Sequence, residues 1–108
     1  MAARTARRRD VGARLERALI AAAAAEACVL LIVEARWVPW ASVTFNGARH
    51  RLTVQLDESL VAKAWLVALP ELELGISGHL VADLHVATFA ATDGVLCATI
   101  EALTVEEC

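Results

Sequence analysis

Between Ala48 and Leu56 polar and apolar side chains alternate without interruption. Ala48, His50, Leu52, Val54 and Leu56 fall on one face, and Arg49, Arg51, Thr53 and Gln55 on the other. A period of two over this length specifies a strand with one buried face and one open face. The chain must therefore build a sheet and cover one side of it. Ala41 to Phe45 alternates as well, and Asn46-Gly47 stands between the two runs. Asn-Gly flanked by alternating residues is the strongest short signal for a two-residue primed turn. That turn pairs Phe45 with Ala48, Val43 with His50 and Ala41 with Leu52. In this register Arg49 and Arg51 project together beside Ser42 and Thr44, while His50 sits on the apolar face opposite Val43. The Arg-His-Arg triplet thus divides between two faces. His50 reads as a hydrogen-bonded histidine of the core face and not as a general base, because no second catalytic group shares its face.

The other elements follow from periodicity. Asp10 is a candidate N-cap, after which Val11, Leu15, Ala18, Leu19 and Ala22 recur at helical spacing up to about Ala27. From Cys28 the composition changes to Val29, Leu30, Leu31, Ile32 and Val33, a continuous apolar, β-rich run that predicts a strand buried on both faces and ended or bent by Pro39. Asp57 or Ser59 caps a second helix, Glu58 to Leu69, closed by Pro70. His79 to Phe89 alternates again, with Leu80, Ala82, Leu84 and Val86 on one face and His79, Val81, Asp83, His85 and Phe89 on the other. Asp93-Gly94 then turns the chain into a last strand, Val95 to Val105.

The order is αββ followed by αββ, and each half holds a hairpin ending in Leu-Thr-Val (Leu52 to Val54, Leu103 to Val105). This predicts an α+β fold: a four-stranded, mostly antiparallel sheet with two helices packed on one face. Residues 10–108 make one domain, long enough to hold a core without metals or disulfides. Residues 1–9 form a basic arm.

Hydrophobic residues make up 58% of the chain, against about 45 to 50% in soluble domains. Much of the surplus is alanine, with Leu and Val also abundant; in the second helix Leu60, Val61, Trp65, Leu66 and Leu69 surround the axis and only Lys63 is plainly polar. A helix that is apolar all round is buried all round. In so short a chain a second subunit is the natural cover, and these five residues, with the outward Arg49 and Arg51, are the expected oligomer interface. Charge is uneven: residues 1 to 17 carry six arginines against Asp10 and Glu16, a net +4, which leaves −7 for the rest of a chain whose total is −3. Arg4, Arg7, Arg8 and Arg9 are candidates for contact with nucleic acid or a partner, including the acidic end Glu101, Glu106 and Glu107 of a neighbouring copy. The plainer reading of the arm is a solvated chain end.

Ala18 to Val33 is apolar except for Glu26, short of the roughly 20 residues of a spanning helix. A soluble helix running into a strand is the preferred reading, with no membrane partner and a cytoplasmic location. Cys28, Cys97 and Cys108 have no CxxC spacing; the first two read as small buried hydrophobes. His79, Asp83 and His85 share a predicted strand face, yet three such residues make a weak zinc pattern beside the ordinary reading of a polar strip. With no phosphate loop, HExxH, GxSxG or paired carboxylates, nothing in the sequence supports an enzyme, a metal or a cofactor.

Four segments together resemble the tail terminator, or tail-completion, proteins of long-tailed phages and gene transfer agents. They are VPWASVTF (Val38 to Phe45), similar to the family's proline-aromatic strand; HRLTVQL (His50 to Leu56), leading into a helix; GHLVADLHV (Gly78 to Val86); and DGVLCATIEALTVEE (Asp93 to Glu107). They cover about the last two thirds of the chain in the family's order. The chain departs from the family in joining the first two segments by a bare Asn46-Gly47, where members carry an extended loop. The resemblance implies a homo-oligomeric ring, typically a hexamer, that caps the tail tube and docks to the head. Its partners would be other tail or head-tail connector proteins, its place a phage-like particle, and the arginine arm would face the tube or its DNA. Two other readings stand beside it: a small cytosolic homodimeric α+β module that holds an unknown ligand, and a nucleic-acid-binding accessory that uses the arginine arm.

Overall fold

The structure, a computed structural model, describes the backbone of residues 2–107 and the side chains of residues 11–107. The elements are α1 (Ala2–Ala25), β1 (Leu31–Ala41), β2 (Asn46–Asp57), α2 (Leu60–Ala68) with a 3-10 turn (Leu69–Glu71), β3 (His79–Thr92) and β4 (Val95–Glu106). The strands form one antiparallel sheet in the order β1-β2-β4-β3. Both helices pack on one face, which is the expected α+β architecture.

The core lies between them. Val11, Leu15, Leu19 and Ala23 of α1 meet Leu52, Val54 and Leu56 of β2, Leu96, Ala98, Ile100 and Ala102 of β4, and Ala62, Trp65 and Leu66 of α2. The spacing of four along α1 keeps one stripe on the sheet. The helix begins at Ala2, not behind Asp10, because the alanines and arginines before Asp10 are strong helix formers. It ends in a Schellman motif: Cys28 N–H donates to Ala23 O at 2.9 Å and Ala27 N–H to Ala24 O at 3.0 Å, with Ala27 at φ 61° in the place glycine usually takes. The side chains of Arg4, Arg7, Arg8 and Arg9, together with Cys108, lie outside the described residues. Ser59 is the cap of α2, its Oγ accepting from Ala62 N–H at 3.0 Å.

Three expectations are corrected. The first hairpin does not turn at Asn46-Gly47: Ala41 pairs with Asn46, Trp40 with Gly47 and Trp37 with His50. The link is Ser42 to Phe45, closed by Ser42 N–H donating to Phe45 O at 2.8 Å and Phe45 N–H to Ser42 Oγ at 3.1 Å. Gly47 is placed by another need, since a Cβ there would meet the Thr104 carbonyl oxygen and the Trp40 indole.

The run Val29 to Val33 does not form a doubly buried strand. It opens β1, an edge strand whose Leu31 and Val33 are exposed, and Pro39 remains inside that strand. An edge strand tolerates proline because one side of it has no ladder to supply.

In β3, bulges between Val81 and Asp83 and between Val86 and Thr88 break the alternation. Val81, Leu84 and Val86 therefore lie on the helix side opposite buried Thr104, Ala102 and Ile100, with His79 on the same side, whereas Leu80, Asp83 and His85 lie on the open side. The two Leu-Thr-Val segments sit on the adjacent central strands with opposite faces inward, Leu52 and Val54 in one and Thr104 in the other. Asp93-Gly94 turns β3 into β4 as expected, with φ of 53° and 79°.

Candidate functional site

Cross-strand register lines up one charged row on the open face of the sheet: Arg36 on β1, Arg51 on β2, Glu101 on β4 and His85 on β3. Arg51 Nη1 is 3.3 Å from Glu101 Oε2, His85 Nε2 is 3.1 Å from Glu101 Oε1, and His85 Nδ1 is 2.9 Å from Asp83 Oδ2. Arg36 turns along its own strand to Glu34 at 3.1 Å. Arg49 lies in the next row, between Val38 and Leu103. Arg36, Arg49, Arg51, Asp83, His85 and Glu101 line a shallow pocket of about 360 Å³. The Arg51–Glu101 and Arg36–Glu34 ion pairs are water-exposed and contribute about 0 to 1 kcal/mol each. The row offers polar contacts and orientation more than adhesion. Arg49 and Arg51 both face outward, as the alternation of β2 requires.

His50 takes the opposite, buried face. Its Nε2 lies 2.9 Å from Thr104 Oγ1, and that hydroxyl donates to Ala48 O at 3.4 Å, so it accepts from His50. Burial, with neighbouring His79 as a second cause, pushes the His50 pKa from 6.5 to about 4. A base that weak does not suit proton transfer near neutrality. It does tie stability to pH. The folded pKa lies below the unfolded one, so the full stability is present above 6.5 and is lost as pH falls through about 4. The stability difference between wild type and His50→Gln should shrink by about 3 kcal/mol between pH 7 and pH 4. Urea titrations across that range check this, and a pH-independent difference would contradict it.

His79 is separated from Asp83 and His85 by the bulge, so the three do not share a face. Among the described residues no group of three His, Cys, Asp or Glu side chains could hold a metal ion. Cys28 is buried as expected; Cys97 is exposed on the open face, because odd positions of β4 point away from the helices.

The expected interface on α2 divides. Trp65, Leu66 and Leu69 are buried in the core of the single chain. Leu60 and Val61 are exposed, as is Val67, which is 77% accessible. Val67, Leu66 and Pro70 form one wall of an apolar groove of about 590 Å³, with Val86 and Phe89 of β3 as the other wall and Lys63 at its rim. A second apolar patch occupies the opposite edge of the sheet: Val29, 85% accessible, with Leu31 and Val33. Sequence reading missed both groupings, although their signals, the all-apolar α2 and the run Val29 to Val33, were visible. Periodicity gives an apolar run without saying which neighbour covers it. No helix among the described residues is long and apolar enough to cross a membrane. Comparison with known proteins finds no matching family, no matching curated protein and no matching solved structure.

Proposed function

We propose that this protein is a structural subunit that works by assembling with copies of itself, as a ring of the tail-terminator kind that caps a phage-like tail tube and docks to the head. The observation that carries the reading is the pair of apolar patches on opposite edges of one small sheet, Val67 of α2 with Phe89 of β3 at one edge, and Val29 with Leu31 and Val33 of β1 at the other. Apolar surface of this kind marks interaction sites. Two unlike patches on opposite edges favour head-to-tail contacts, which close into a ring when the rotation allows. The open charged face, with Arg49 and Arg51, then meets other tail or connector proteins, and the arginines at the start of α1 meet the tube or its DNA. Electron microscopy of the purified chain should show annular particles. Particles of dimer size would instead favour a ligand-binding module, a reading supported by the groove beside α2, whose volume falls within the range of small-molecule sites.

A further inference from the structure

We infer that the groove between α2 and β3 receives the β1 edge of a second copy, with Val29, Leu31 and Val33 packed against Val67, Pro70 and Phe89. The inference rests on the assembly reading and names the contact by which it occurs. Strand addition is the obvious alternative, yet both edges are guarded against it. A bulge at Val33 and the imide of Pro39 interrupt β1, and bulges at Ala82 and Ala87 interrupt β3. Side-chain packing is left as the means of contact, and here the two edges differ in form. One presents a concave apolar groove and the other three exposed apolar side chains, Val29 just ahead of β1 and Leu31 and Val33 within it.

Charge agrees with this pairing. Lys63 stands at the groove rim and Glu34 follows Val33, each about half exposed. Their partners within the chain, Glu58 at 3.0 Å and Arg36 at 3.1 Å, are exposed and weakly held. Exchange of those pairs for Lys63 to Glu34 of the neighbour costs little. The groove and the β1 patch lie at opposite edges, so the contact uses a different surface on each copy.

That asymmetry sets the test. Val67→Asp damages only the groove and Leu31→Asp only the β1 patch, and both positions are exposed enough to leave the fold intact, which circular dichroism and melting temperature verify. Each variant alone should weaken self-association about a hundredfold and run as a monomer where wild type is assembled. An equimolar mixture at high-micromolar concentration should give a heterodimer and nothing larger, because one undamaged groove meets one undamaged β1 patch. If wild type assembles but the mixture stays monomeric, or if Leu31→Asp alone still dimerises, this contact is wrong while assembly stands. A wild type that is itself monomeric overturns the assembly reading and this contact with it.

Discussion

Gly47→Ala is expected to cost the fold about 3 kcal/mol or more, lowering the melting temperature by more than about 10 °C or abolishing the folded state. A Cβ at this position would collide with the Thr104 carbonyl oxygen and lie 2.7 Å from Trp40 Nε1 and 2.9 Å from its Cε2. Trp40 is the cross-strand partner of Gly47, and its ring covers the bare backbone. Thr104 is fully buried beside it in β4, so neither neighbour yields cheaply. The same position distinguishes a turn glycine from a strand glycine. In a primed turn Gly47→Asn would be tolerated, since asparagine accepts a left-handed backbone. In the strand Gly47→Asn should be as damaging as Gly47→Ala. Gly75→Ala is the control, because a Cβ there meets nothing within 4 Å. A wild-type urea midpoint for Gly47→Ala would contradict the close approach.

Trp65→Ala should cost about 3 to 5 kcal/mol, the range for removing a large aromatic side chain from a packed core. Trp65 is 4% accessible and shares its cluster with Leu66, Leu69 and the inner face of the sheet. Leu60→Ala, one turn earlier and exposed, should change stability by less than about 0.5 kcal/mol. The contrast separates a core helix from an interface helix, for a Trp65 at a subunit contact would dissociate the assembly and leave the folded chain intact. Trp65 Nε1 is buried with no hydrogen-bond partner among the described residues. Trp65→Phe removes that unsatisfied donor and should therefore be far milder than Trp65→Ala. Equal losses in the two variants would contradict the core placement.

Much of the fold was legible because the strands carry their own face assignment. The expected and observed registers of the first hairpin differ by six positions along β1: the partner of His50 is Trp37, not Val43. Six is even, so the residues that stayed in the strands kept their faces, and the separation of His50 from Arg49 and Arg51 survived a misplaced turn, while Val43 and Phe45 left the core face for the exposed link. The agreement of two alternating runs is therefore a test of face and not of turn position. In β3 the shift is one residue, at Ala82, and there the face reading failed: Leu80 went to the open side and His79 to the buried one. Bulges leave no composition signal when the extra residue is alanine. The candidate surfaces were less legible for a different reason. An apolar helix and an apolar strand each show how much surface needs covering, while the chain topology decides which part is left over. Trp65, Leu66 and Leu69 were covered from within, and Val67, Phe89, Val29, Leu31 and Val33 were not.

Light scattering on the purified chain, across a wide concentration range and at low and high salt, tests the central claim most directly. Self-assembly through these edges predicts a mass of several chains that persists at micromolar concentration, with only a modest loss at high salt, because the contact is mainly apolar and the ion pairs around it are weak. The mass of a single chain at every concentration would contradict it.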